Sequence, residues 1–167
     1  MPQWPKASSN SILVSGVPLE FEFEASESTI YPGMGVNIVV GTPEEAELCD
    51  AGDNVTCIVD ISVSSLTGRG SWRKDSVRGH GTDTPLPYND GDQMKCISGP
   101  ITVMLVLAAG ETITEGEKLQ CAGSGTFGAF ICANETSDPC ALVAEALQAV
   151  TTTAAEISTY IHAKLLI

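Results

Sequence analysis

Residues 101–130 read ITVMLVLAAGETITEGEKLQCAGSGTFGAF, and this stretch decides the fold class. It opens with an apolar segment, Ile101 to Ala108, whose length and composition are those of a buried β-strand. A turn bounded by glycines follows at 110–116, and a second strand runs from Glu117 to Cys121. A glycine-rich reversal comes next, from Gly123 to Gly128. Sharp turns at short intervals between short strands are typical of small β-barrels.

The composition favours one folded, β-rich domain. The chain has 167 residues, of which 43% are hydrophobic and 17% charged, and this suits a single domain with its own core. The 16 glycines, with aromatic residues at only 5%, favour many turns. We predict an all-β fold with short helices at most. A small β-barrel at 18–167 would follow an N-terminal arm at 1–17 and carry one long loop at 68–93.

The net charge and the absence of membrane-type segments restrict the kinds of partner that we expect. The formal net charge is −13, so nucleic acid and anionic membranes should be repelled. The sequence has no apolar run long enough for a transmembrane helix. Its first residues lack the order of regions that marks a signal peptide, so we expect synthesis in a cytoplasm. We therefore expect neither nucleic acid nor a membrane as a direct partner.

The six cysteines leave two interpretations open. No CxxC spacing occurs, which argues against a zinc knuckle or a redox motif. Without a secretory signal, buried free thiols are the simplest expectation. Under oxidising conditions Cys49 with Cys57, and Cys132 with Cys140, could each close a short loop.

The N-terminal arm contains a short apolar patch formed by Ile12, Leu13 and Val14. Such a segment cannot fold alone, and we predict that it pairs with the sheet edge of another chain by β-augmentation. The alternative is a frayed terminus with no binding role.

Four other segments carry structural signals. Leu19 to Glu24 alternates apolar and acidic residues, which predicts a half-buried strand with an acidic outer face. Thr42 to Leu48 resembles a helix start, with Thr42 as N-cap and Pro43 in the first turn. The segment at 140–150 has helical propensity but lies between strands, and we interpret it as partly extended. Ile157 to Ile167 alternates as a terminal strand.

The long loop at 68–93 is the most unusual segment, because it has no apolar period and holds half of the chain's eight basic residues. Long loops inside compact domains are usually functional or disordered. We predict that its basic patch binds an acidic surface, on another copy or on a larger partner. A solvated flexible loop is the alternative. The residues that we assign to this patch are Arg69, Trp72, Arg73, Lys74 and Arg78.

No catalytic constellation occurs in the sequence. The two histidines, His80 and His162, have no nucleophile or carboxylate at a motif spacing. The glycines of the long loop are not a phosphate loop, because no Gly-Lys-Ser/Thr motif follows a strand. The acidic residues form no calcium-binding loop motif. We therefore expect no enzymatic activity, no cofactor and no metal site.

The C-terminal part of the chain resembles the head decoration (cement) proteins of tailed viruses. The matching residues are the strand and turn at Leu107-Ala-Ala-Gly110, Ile113, Gly116 and Leu119, the segment Glu145-Ala-Leu147, and the closing strand from Ile161 to Leu166. The resemblance covers roughly the last 70 residues, and residues 44–95 lie outside the family's minimal pattern.

The resemblance implies a β-tulip-like barrel, often trimeric, on the exterior of an icosahedral capsid. There it would bridge neighbouring major capsid proteins and stabilise the shell, with the N-terminal arm pairing with capsid strands. The expected partners are therefore the major capsid protein and further copies of this chain. A second hypothesis is a carbohydrate- or ligand-binding β module on a virion or cell surface, for which Trp72 and Tyr88 are the candidate aromatic residues.

Overall fold

The computed structural model describes residues 12–60, 72–73, 84–85, 87–123, 129–133, 141–152 and 160–167. These residues form 15 β-strands and no α-helix, so the all-β prediction is confirmed for the described part of the chain. The strands are β1 (Leu13–Ser15), β2 (Leu19–Ala25), β3 (Gly35–Val39), β4 (Thr42–Leu48), β5 (Cys57–Val59), β6 (Trp72–Arg73), β7 (Thr84–Pro85), β8 (Gln93–Ser98), β9 (Thr102–Val106), β10 (Thr112–Ile113), β11 (Lys118–Cys121), β12 (Phe130–Cys132), β13 (Ala144–Ala146), β14 (Val150–Thr151) and β15 (Tyr160–Leu165).

The first half of the chain forms a closed barrel with the strand order β2-β4-β3-β5-β8. Strand β2 runs antiparallel to β8 over six residue pairs, from Leu19↔Ser98 to Glu24↔Gln93. Its pairing with β4 is parallel and covers only Glu24 and Ala25. The barrel interior is apolar, and its buried residues are Phe23, Ala25, Ile30, Val36, Ala46, Cys57, Val59, Tyr88, Met94 and Cys96.

The second half, together with β1 from the start of the chain, forms a six-stranded sheet with the order β1-β9-β15-β13-β11-β12. Leu107, just after β9, makes a parallel bridge to Phe130 in β12, and the Ala108 N–H donates to the Phe130 carbonyl at 2.9 Å. The sheet therefore curls until β12 meets the end of β9, while β1 pairs with the start of β9. Within β15, Ile161, Ala163 and Leu165 are all buried as the alternation predicts, although Tyr160 on the opposite face is buried too. Residues 157–159 of the predicted terminal strand lie outside the described part.

The barrel packs against this sheet through a shared core. Ile58 and Ile97 point out of the barrel and join the cluster that contains Met104, Val106 and Tyr160. The Tyr160 hydroxyl donates a 2.8 Å hydrogen bond to the Pro32 carbonyl, and burial raises the pKa of this phenol. Both faces of β5 are buried because one faces the barrel interior and the other faces the sheet.

A disulfide between Cys49 and Cys121 joins the end of β4 to the end of β11, and so links barrel and sheet covalently. The sequence-based pairing of Cys49 with Cys57 is therefore wrong. Cys57 and Cys96 are free and buried inside the barrel, as expected for structural thiols. The suggested pair of Cys132 with Cys140 involves side chains outside the described part.

Two local assignments are settled by the strand pairing. The helix start predicted at Thr42 is wrong, because this segment is strand β4 and returns along β3 from a tight turn at Val40 and Gly41. Gly41 has φ +97°, a conformation that a turn needs and that favours glycine. Pairing with β3 provides more backbone hydrogen bonds for residues 42–48 than one isolated helical turn would. The described part of 140–150 is partly extended, as interpreted, because it contains β13 and the first residue of β14.

Candidate partner-binding surfaces

The apolar patch predicted to bind a partner is divided between the core and the surface. Ile12 is completely buried, and Met104 donates its N–H to the Ile12 carbonyl at 3.0 Å. Leu13 pairs with Val103, so β1 adds an outer strand to the chain's own sheet. Val14 is 48% exposed. Ile12 therefore belongs to the fold, and partner pairing by this patch would have to use the outer edge of β1.

A buried carboxylate fixes the start of β1 to the barrel. Asp60 is 1% exposed and lies just after β5. Its Oδ1 accepts a 2.8 Å hydrogen bond from the N–H of Ile12. Its Oδ2 lies 3.6 Å from Lys95 Nζ, which also contacts Glu20 Oε1 at 2.9 Å. The hydrogen bond with Glu20, and the nearby Asp60 charge, raise the pKa of Lys95 against the opposing effect of burial.

The basic side chains that the structure describes all face acidic ones. Lys95 contacts Glu20 and Asp60, as above. Lys118 forms an ion pair with Glu145, and Lys164 lies opposite the same glutamate in the register of β13 and β15. The hydrogen bond from Lys118 lowers the pKa of Glu145, and the Lys164 charge adds to the effect. The described surface is therefore acidic, and each of its lysines lies beside a carboxylate of the same chain, which favours a partner that brings positive charge of its own.

The predicted basic patch is described only in part. The backbone of Trp72 and Arg73 forms the short strand β6, antiparallel to β7. Arg69, Lys74 and Arg78 lie outside the described residues. Partner binding by this patch stays a prediction.

Tyr88, one of the two aromatic residues proposed for a carbohydrate site, is not exposed. Tyr88 is 1% exposed, and its hydroxyl donates a 2.9 Å hydrogen bond to the carbonyl of Asp60. It packs inside the barrel, so it cannot stack on a sugar at the surface. The side chain of Trp72, the second candidate, is not part of the described structure.

The remaining side chains that could take part in chemistry have surroundings that fit a role in the fold. The Cys96 thiol forms a hydrogen bond with Cys57, and this contact together with burial raises the pKa of Cys96 well above its usual value. His162 is half-buried on β15 opposite Met104, while His80 lies outside the described part. Within the described residues no group of three or more His, Cys, Asp or Glu side chains could hold a metal ion. No helix there is long and apolar enough to cross a membrane.

The structure exposes two residues that the sequence pattern assigns to a buried face. Phe23 is buried as the alternation predicts, but Leu19 is 62% exposed and Phe21 is 38% exposed. The ring of Phe21 stacks on Phe23 with centroids 6.2 Å apart. Both exposed residues precede the point where β4 joins β2. The sequence feature that explains this exposure is Pro43, which lies two residues before Glu45, the partner of Glu24. Because proline has no N–H to donate, the pairing of β4 with β2 does not extend back to Phe21 and Leu19.

Comparison with known proteins reveals a likeness in fold. No protein-family model matches the chain, and no curated protein matches its sequence. Among solved structures, the chain resembles the one described as the head fiber gp8.5 N base of bacteriophage phi29. The TM-score is 0.54 at 11% sequence identity, and the match covers 89% of this chain and 94% of that one. At this identity the likeness concerns the fold, and it includes both the barrel and the curled sheet because it spans almost the whole chain.

Proposed function

We propose that this chain is a non-enzymatic structural protein of a bacteriophage virion. It would bind the exterior of an icosahedral capsid, bridge neighbouring major capsid proteins and stabilise the shell. Its proposed partners are the major capsid protein and further copies of the chain, in a homotrimer assembled in the host cytoplasm. The single observation that carries the proposal is the fold likeness to the base of a phage head fiber, over 89% of this chain.

The environment of the titratable groups supports a structural role. The described groups with shifted pKa values are Lys95, Cys96, Glu145 and Tyr160, and each shift has a cause in packing or pairing. Cys96 and Tyr160 are buried in the two hydrophobic cores, whereas Lys95 and Glu145 belong to ion pairs between strands. Groups with perturbed pKa values in a cleft are candidates for catalysis, but these four stabilise the fold by packing or by ion pairing.

The strand arrangement supports binding through a sheet edge. Among the described strands, β1 is the outermost of its sheet, and Val14 on it is exposed. Main-chain pairing between β1 and a capsid strand would use this edge, and the basic patch at Arg69, Arg73, Lys74 and Arg78 would add charge contacts to an acidic part of the shell. Many copies on one shell make individually weak contacts strong.

The decisive experiment measures occupancy on shells that lack the protein. Shells from the virus that encodes the chain are mixed with the purified protein, sedimented, and imaged by cryo-electron microscopy. We expect density at three-fold or quasi-three-fold positions. Val14→Asp should reduce occupancy, whereas Val40→Asp, at the fully exposed tip of the β3–β4 turn, serves as a matched control. Absence of binding by the unaltered protein would refute the shell role.

The assembly state has a separate test. Sedimentation velocity of the full chain distinguishes a monomer from the proposed trimer. A second set of variants tests the long loop: in each variant, one of its four basic residues is replaced by an acidic one. If that loop contacts an acidic surface, each reversal should weaken shell binding, and the loss should shrink at higher salt.

A further inference from the structure

The first half of β2 has a strand edge that the described part of the chain leaves unpaired. Residues 19–23 pair with β8 on one side. On the other side, pairing with β4 begins only at Glu24. The parallel register would place Pro43 beside Glu22, and proline has no N–H to donate to a ladder. The backbone of this half-strand is thus presented along the rim of the barrel.

The two faces of this half-strand have different chemistry. Leu19 and Phe21 lie on one face and are 62% and 38% exposed. Glu20 and Glu22 lie on the opposite face, and both are exposed. Lys95 contacts Glu20 at 2.9 Å, and no ion pair in the described structure involves Glu22. Charged side chains commonly protect an exposed strand edge against pairing, so Glu20 and Glu22 should exclude partner strands that bring no positive charge.

We infer that residues 19–23 of β2 form a docking edge for an extended segment of a partner protein in which basic and apolar residues alternate. The backbone of that segment would extend the ladder of β2. Its apolar side chains would cover Leu19 and Phe21, and its basic side chains would lie opposite Glu20 and Glu22, where oppositely charged cross-strand neighbours attract. This inference does not depend on the proposed shell role, because it follows from edge pairing, exposure and charge alone.

Charge argues for a basic partner rather than a second copy. Two copies meeting at this edge would bring Glu20 and Glu22 of one close to the same residues of the other, and like charges opposite each other destabilise a strand pair. The described basic side chains, Lys95, Lys118 and Lys164, already face glutamates within their own chain. A second copy therefore offers this edge little neutralising charge from its described surface.

The test uses the full chain and a fluorescein-labelled peptide of about seven residues that alternates lysine and valine, long enough to span the half-strand. Fluorescence anisotropy measures affinity, and NMR amide shifts report where the peptide binds. A peptide of the same composition with its lysines grouped together controls for general attraction to an acidic protein. A peptide that alternates glutamate and valine keeps the apolar pattern and reverses the charge, so it tests whether positive charge is required.

We expect the alternating lysine peptide to bind at least about tenfold more tightly than the grouped one, with the largest shifts at residues 19–23. Glu22→Lys should weaken it by about tenfold and favour the glutamate peptide. Glu115→Lys makes the same charge change at an exposed residue outside the barrel, and should alter affinity by less than about twofold. Phe21→Glu should also weaken binding.

Four outcomes would overturn the inference. Equal affinity for the alternating and grouped peptides would mean that only general electrostatic attraction operates. Equal losses in Glu22→Lys and Glu115→Lys would mean that this edge is not the site. Binding that appears only after deletion of residues 1–11 would assign the edge to the chain's own N-terminal segment. Self-association that Glu22→Lys strengthens and the peptide inhibits would assign it to a second copy.

Discussion

Replacement of Cys49 and Cys121 together by alanine should lower the stability of the folded chain substantially. The disulfide between them closes a loop with a sequence separation of 72 residues. The loss of loop-closure entropy in the unfolded chain, applied to a loop of that size, corresponds to about 4 kcal/mol at 25 °C. For a domain of 167 residues, this is a fall in melting temperature of about 12 °C. The bond also ties barrel to sheet, so its loss should loosen the region where the two pack together.

The assay is thermal unfolding followed by circular dichroism, with and without a phosphine reductant. Both half-cystines are buried, so the reductant must be added to unfolded protein before refolding. The unaltered chain should then lose about 12 °C on reduction, and the alanine double variant should show no reductant dependence. Trypsin cleavage after Lys118 without reduction should leave the peptide that starts at Leu119 linked to the peptide containing Cys49.

A matched control removes the other described pair of buried cysteines. The variant with alanine at Cys57 and Cys96 loses packing inside the barrel, but its melting temperature should fall on reduction by the same amount as that of the unaltered chain. The reasoning would be refuted if the Cys49 and Cys121 double variant melted within about 2 °C of the oxidised unaltered protein, or if reduction affected the two double variants equally.

Three further changes test individual contacts. Gly33→Ala should cost about 2 kcal/mol or more, because Gly33 has φ +90° and an added Cβ would lie 2.8 Å from the Tyr160 ring. Gly41→Ala, with φ +97° and no atom within 4 Å of the added Cβ, should cost about half as much in the same urea titration; equal losses would contradict the packing argument. Asp60→Ala should cost about 1–3 kcal/mol, since it removes the acceptor for the N–H of Ile12. The exposed Asp90→Ala should change stability by less than about 0.5 kcal/mol, and a similar loss in both would contradict this assignment. Glu145→Gln should reduce stability at pH 7 and reduce it less at pH 3: because pairing lowers the pKa of Glu145, its stabilisation is fully present above the usual value of 4.5 and is lost as pH falls through the lowered pKa. A difference of equal size at both pH values would show that the ion pair with Lys118 contributes nothing.

The elements that the sequence predicts well are those whose signal is local and repeated. The alternation in Tyr160–Leu165 specifies one buried face because each strand residue points opposite to the last. Gly99 and Pro100 follow the end of β8 and separate it from β9, as expected for these turn-forming residues. The turn glycines Gly110 and Gly116 both have positive φ, as the predicted turn needs.

The errors have a common physical origin, which is that contacts between distant residues override local signals. Thr42 and Pro43 are good helix-start residues, but pairing with β3 and β2 places them in a strand. Cys49 is closest in sequence to Cys57, yet the end of β4 meets the end of β11 in space. The sequence places Tyr88 in a loop, where an exposed side chain is expected. In the structure the barrel buries this side chain against Asp60.

The candidate binding surfaces were only partly predictable for the same reason. The sequence identifies 12–14 as an apolar patch, but it cannot show that the chain's own β9 pairs with that patch and that Asp60 anchors its first residue. It identifies the alternation of β2 but not the limit of its pairing with β4. That limit depends on where a parallel neighbour joins, which is a property of the closed barrel.

The two candidate edges are connected to each other through the chain. β1 belongs to the curled sheet and β2 to the barrel, with Gly16, Val17 and Pro18 between them. Gly16 has φ +102°, and a Cβ there would lie 2.8 Å from Cγ2 of Ile101, so the link is held closely against the start of β9. A single partner that paired with both edges would therefore contact both sheets at once, and binding at the first edge would raise the effective concentration of the partner at the second. The Cys49–Cys121 bond fixes the relative positions of the same two sheets, so it would maintain the spacing between the edges on which such two-point binding depends.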